Sequence, residues 1–142
     1  MWVTYIMQRE WIPEHGEWRD RQVCQYRIGI TRNLAQRCEQ QRATAGWILS
    51  KHEDEWSARV DEILISADYG IPQLSFTHSD PTQQYHLDTL WCLIDSSINQ
   101  ERGYNLVMKH LGAFEAFSYV NYERTNPPPR LRLVLKETGM LR

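Results

Sequence analysis

Residues 2–8 read Trp-Val-Thr-Tyr-Ile-Met-Gln. Successive side chains of a strand point to opposite faces, so Val3, Tyr5 and Met7 share one side and Trp2, Thr4 and Ile6 the other. A segment apolar on both sides reads as an inner strand of a sheet. A second run, Val-Cys-Gln-Tyr-Arg-Ile-Gly-Ile at 23–30, puts Cys24, Tyr26, Ile28 and Ile30 on one face and Arg27 and Gly29 on the other. The polar stretch 9–22, with Pro13 and Gly16, predicts a long hairpin connection between the two.

Beyond the second strand, Thr31 offers an N-cap and 32–45 reads as a helix. Residues 46–57, with two tryptophans and a charged cluster, predict a second short helix. The run 58–68, ending Ile63-Leu64-Ile65, predicts a third strand stopped by Gly70 and Pro72. Ser79-Asp80-Pro81 is a helix start, with Asp as cap and Pro at the first helical position. One stripe of Leu87, Leu90, Trp91, Ile94 and Ile98 continues that helix to near Gly103. Pro127, Pro128 and Pro129 predict a stiff extended break, and Leu131-Arg132-Leu133-Val134-Leu135 a short strand or helix. The fold class this order implies is α/β (α+β), a small antiparallel three-stranded sheet flanked by helices. The 142 residues fit one domain, and no repeat or second domain is evident.

Composition narrows the function classes. No apolar run approaches a membrane span, and the first residues read as a strand rather than a signal peptide. Cys24, Cys38 and Cys92 form no CxxC or CxxH pair. A disulfide framework and a structural zinc are both disfavoured, and a reducing cytoplasm is the expected compartment. The net charge of −2 hides a division. Residues 1–51 carry eight Lys/Arg and five Asp/Glu; 52–101 carry one and ten; 102–142 carry seven and three. Two basic ends therefore flank an acidic middle, and local fields rather than totals steer phosphates.

Five patches in this order resemble the GIY-YIG nuclease superfamily, most closely its phage-type and homing-type branches. Val3-Thr4-Tyr5-Ile6 looks like the first signature strand. Tyr26-Arg27-Ile28-Gly29-Ile30-Thr31-Arg32-Asn33-Leu34 looks like the second strand and its turn into a helix. Arg37 stands where the family's catalytic arginine does, and Asp88 where a metal-binding glutamate does. Gly103-Tyr104-Asn105 resembles the Gly-Tyr-Asn that follows that helix. The resemblance covers about residues 2–106 and leaves 107–142 as an extension.

What the resemblance implies is a magnesium- or manganese-dependent endonuclease cutting DNA phosphodiesters, restriction-like or phage-type, with one ion per site. Tyr5, Tyr26, Arg27, Arg37 and Asn105 would be catalytic, Asp88 would hold the ion, and His86 would be a second ligand candidate. Arg32 and Arg42 would touch DNA. The residue types suit the chemistry. A tyrosine relays a proton if its pKa falls, one carboxylate with waters holds a hard cation, and an arginine grips phosphate bidentately.

Three positions depart from the pattern. Arg27 stands where a tyrosine or lysine is usual, and Tyr26 beside it points to the opposite face. Arginine supplies charge but does not shuttle protons. Asp88 is one methylene shorter than glutamate, and Val3 replaces a glycine. A second class therefore stands beside the enzyme: a degenerate GIY-YIG-like protein, such as a phage-encoded decoy or inhibitor, that binds nucleic acid or a partner protein without cutting. Dimerisation through 113–122, rich in aromatic residues, is one way a minimal enzyme enlarges its site.

Overall fold

The computed structural model describes residues 1–12 and 22–109 and the backbone of Glu115 and Ala116. Among the described residues four strands and four helices follow one another: β1 (Trp2–Trp11), β2 (Val23–Thr31), α1 (Leu34–Gln40), β3 (Ala45–His52), α2 (Glu55–Tyr69), α3 (Pro81–Leu93), α4 (Ser96–Lys109) and β4 (Glu115–Ala116). The sheet runs β2-β1-β3-β4 with every neighbour antiparallel, so three full strands carry a two-residue fourth. This is the α+β class expected, with β1 inside the sheet. The expected elements at 127–129 and 131–135 lie outside the described residues. So does the 113–122 contact, apart from the backbone of the two β4 residues.

Both faces of β1 are covered, which explains why both are apolar. On one face Ile6, Tyr26, Ile28, Ala45 and Trp47 pack with Ile71, Leu106 and Val107 under α2 and α4. On the other, Tyr5 and Met7 pack with Leu34, Cys38, Ala43, Phe76 and Trp91 under α1, the segment around Leu74 and Phe76, and α3. Helix α2 comes close to the sheet because its contact residue is the fully buried Ala58, whose carbonyl accepts from Thr4 Oγ1 at 2.9 Å.

Strand β2 is an edge, and a bare edge invites pairing with another chain. Here it is capped. The Asn99 side chain of α4 accepts from Tyr26 N at 2.7 Å and donates to Tyr26 O at 3.1 Å. Two residues on, Ile28 N donates to the Pro72 carbonyl at 2.9 Å. Gly103 lets α4 come this near, because a Cβ there would overlap the Tyr26 ring.

Four expectations are corrected. The third strand is 45–52, where a helix was expected, and 55–69 is a helix, where a strand was expected. The Ile63-Leu64-Ile65 run is compatible with either, but Asp54 and Gly70 bracket it as helix ends. Asp54 accepts from Ser57 N at 2.7 Å, and Gly70 takes the left-handed φ of 67° that closes a helix. Helix α1 is capped by Asn33 rather than Thr31 and ends at Gln40. The long helix expected from Asp80 to Gly103 is two. Asp80 caps α3 as expected, but Asp95 starts α4 by accepting from Ser97 N at 2.9 Å and Ile98 N at 3.1 Å.

The Asp54 cap carries a pH consequence. Hydrogen bonds from Ser57, backbone first and then side chain, hold its carboxyl below the ordinary 3.8. A depressed carboxyl stabilises the fold above its unfolded pKa and loses that contribution as pH falls through the folded value. Thermal midpoints should therefore drop below about pH 4 in the wild type. Asp54→Asn should show a shallower acid limb. Parallel limbs for the two proteins would show that the cap does not titrate with folding.

Candidate functional site

Register brings Tyr5 opposite Gly29 and Met7 opposite Arg27 on the α1 face of the sheet. The Tyr5 ring lies across Gly29, where a Cβ would overlap its hydroxyl and the Arg27 guanidinium. Arg27 then donates from Nη1 to the Tyr5 hydroxyl. This Tyr5–Arg27 pair is the centre of the candidate site, and it is closed: Tyr5 is 0% exposed and Arg27 4%.

What closes it is residues 71–76, a strap without helix or strand that starts on the opposite face at Ile71, rounds the β2 edge at Pro72 and then runs over this face. Each of its six consecutive carbonyls accepts a hydrogen bond. Ile71 O accepts from Ser66 Oγ, and Pro72 O from Ile28 N. Gln73 O accepts from Arg27 Nη2 at 2.9 Å, and Leu74 O from Arg27 Nε at 2.8 Å. Ser75 O accepts from Trp91 Nε1 at 2.8 Å. Phe76 O accepts from Arg9 Nη1 at 3.3 Å and Gln84 Nε2 at 3.1 Å. Phe76 N in turn donates to Gln41 Oε1 at 2.7 Å. An irregular segment must satisfy in this way whatever part of its backbone it buries, because it has no ladder to do so. Arg27 therefore spends its planar fork on Tyr5 and two carbonyls.

Arg9, two residues past Met7 on the same face, lies among rings. Its guanidinium carbon is 4.3 Å from the Trp11 centroid, 4.5 Å from Phe76 and 5.5 Å from Trp91. Burial pushes its pKa down to about 9, against the opposing pull of Asp88 and Cys92. Sequence reasoning did not single out Arg9. The signal was there in a lone arginine continuing the apolar face of an inner strand.

The other sequence candidates scatter. Tyr26 is buried on the opposite face, against Gly103. Asn105 is exposed in the middle of α4, which packs on that opposite face, and lines a shallow hollow with Ser97, Gln100, Glu101 and Tyr104. It was expected in a turn after a helix; α4 runs through it instead. Arg37 is on α1, on the Tyr5 side, and its Nη1 reaches Gln40 Oε1 of its own helix at 3.5 Å. Asp88 is on α3, accepting from Gln84 Nε2 at 2.9 Å, with the Arg9 charge close by. Arg9 lies four residues along β1 from Tyr5, roughly 13 Å at the strand rise. His86 is exposed on α3 and meets Tyr85 edge-on.

Asp88 is a single carboxylate, the count that a magnesium ion completed by waters and substrate phosphate would use. Its charge interacts with that of Arg9, and no group of three or more His, Cys, Asp or Glu able to hold a metal occurs among the described residues. Arg32, Arg37 and Arg42 do lie at the surface around α1. Arg32 is 5.8 Å from the Trp2 ring centroid, and Arg42 takes a left-handed φ of 54° just past the helix. Only Arg37 belongs to α1; Arg32 precedes the helix and Arg42 follows it, so the three bracket α1 along its length.

A second cluster joins β3 to α2. Ser50 Oγ meets His52 Nε2 at 2.8 Å and donates to Asp61, and His52 Nε2 is 3.3 Å from the same carboxylate oxygen. Serine and aspartate converge on one ring nitrogen. A nucleophilic triad needs them on opposite nitrogens, so this is a structural tie.

No family model, no curated protein and no solved structure matches the chain. No helix among the described residues is long and apolar enough to cross a membrane.

Proposed function

We propose that this chain is a nucleic-acid-binding protein with a GIY-YIG-like fold that holds phosphates at the surface without hydrolysing them. The observation that carries the reading is the strap. It covers the Tyr5–Arg27 pair and occupies the arginine that a phosphodiester would need. Arg32, Arg37 and Arg42 stay at the surface, and no carboxylate among the described residues forms an ion pair with them. Such charges bind a backbone by displacing its counterions and need no buried site. DNA is the ligand class, and the free thiols of Cys24, Cys38 and Cys92 are in keeping with a reducing cytoplasm.

Metal-dependent hydrolysis of DNA is the second reading. It draws on the Tyr5 hydroxyl and Arg27 sharing a sheet face with the helix that carries Arg37.

One experiment separates the two. Labelled duplex is titrated at several salt concentrations, and plasmid is incubated with the protein in Mg²⁺ and in Mn²⁺. Binding without cleavage is expected. Each of Arg32→Ala, Arg37→Ala and Arg42→Ala should reduce the slope of log affinity against log salt by about 1. No binding at low salt, or slopes that ignore all three arginines, would overturn the proposal. Cleavage that collapses in Arg37→Ala while affinity barely changes would establish the enzyme instead.

A further inference from the structure

Helix α2 has two apolar faces. Ala58, Glu62, Ile65 and Tyr69 turn toward the sheet. Trp56, Val60 and Ile63 stand about half a turn away, at steps of four and three, and Leu64 flanks them. They are 73%, 38%, 51% and 61% exposed. Single exposed apolar residues are ordinary, but a contiguous stripe with a tryptophan at one end marks a contact surface.

Acids stand beside the stripe. Apart from Glu62, which faces the sheet, residues 53–69 hold Glu53, Asp54, Glu55, Asp61 and Asp68 against Arg59 alone. A fitting occupant is thus apolar and basic, and a second α2 would repel.

The chain carries such a segment. Residues 130–136 read Arg-Leu-Arg-Leu-Val-Leu-Lys, three alternate leucines with Arg130, Arg132, Val134 and Lys136 between and beside them. The described chain last appears at β4, where Ala116 pairs with Trp47 of β3, the strand that leads into α2. From residue 116 to 130 an extended chain reaches about 45 Å, more than the width of a domain this size. We infer that residues 130–136 of the same chain dock on the outer face of α2, leucines on the Trp56–Val60–Ile63–Leu64 stripe and cations toward the acids. The inference stands apart from nucleic-acid binding and uses none of its residues.

The test reads thiol reactivity in the full-length chain. Cys24 and Cys38 are buried, and replacing the half-buried Cys92 with Ser leaves a quiet background. In that background Ile63→Cys should react slowly with a maleimide. Changing Leu131, Leu133 and Leu135 to Ser should speed it by about tenfold, the mark of a lost local cover. Arg59→Cys, off the stripe, should label at the same rate in both. Equal Ile63→Cys rates with and without the leucines would overturn the docking. A second variant, Ile63→Cys with Leu133→Cys, is oxidised at low protein concentration. A cross-linked monomer supports docking within one chain; a cross-linked dimer overturns it and gives the face to a second copy.

Discussion

Arg27→Ala should lower the stability of the fold by about 3–5 kcal/mol, read as a shift in the denaturation midpoint at unchanged slope. The substitution removes three hydrogen bonds at once. It leaves the fully buried Tyr5 hydroxyl and the part-buried Gln73 and Leu74 carbonyls without their donor. Arg27→Lys keeps the charge but lacks the planar fork, so it should recover only part of the loss. The same variants bear on function. Were Arg27 a phosphate grip, it would lose cleavage or affinity and keep its stability. A loss under about 1 kcal/mol would mean that the strap stays in place without this anchor.

Trp91→Ala should cost about 3–5 kcal/mol, the usual range for emptying a buried tryptophan site. Trp91 is fully buried. Its ring centroid is 5.0 Å from that of Phe76, Arg9 rests against both rings, and its Nε1 donates to Ser75 O. Trp91→Phe keeps the stacking and drops that donor, so about 1 kcal/mol should be lost. Calorimetry on the pair separates packing from the hydrogen bond. Equal losses in the two variants would show that the indole N–H, not the ring volume, holds α3 to the strap.

How far the sequence could be read depended on the length scale of the cause. Strands β1 and β2 follow from alternation alone, and α3 from Asp80-Pro81, because those signals lie within a few residues. The break between α3 and α4 was hidden, since Leu90, Trp91, Ile94 and Ile98 read as one stripe across it. Only Asp95 marked a new start. At 55–69 the apolar triplet outweighed the caps, although Asp54 and Gly70 sat at a helix's distance from each other. The strap had no periodicity to betray it. Its conformation is dictated by donors on four other elements, and most of those contacts are not local.

The candidate site shows the same division. The nearness of Tyr5 and Arg27 could be read from the two strands and their order. That Arg27 turns to carbonyls rather than solvent could not, because the carbonyls belong to residues 73 and 74. The opposite facing of Tyr26 was legible from the two-residue period, and the ring rests on the far side against Gly103. Asp88 was legible as a helical acid; its neighbour Arg9 comes from the other end of the chain.

The strap also bears on the time course of folding. Its carbonyls meet donors 46, 47 and 67 residues away in sequence, and Asn99 reaches Tyr26 across 73. Closing loops of that size costs entropy before any contact repays it, and the partners exist only once the sheet has assembled. Such contacts form late, beyond the rate-limiting barrier. They then act on the rate of escape from the native state and scarcely on the rate of arrival. The speed of folding is left to the neighbouring strands β1, β2 and β3, while the lifetime of the folded chain rests on six carbonyls in a stretch with no regular structure.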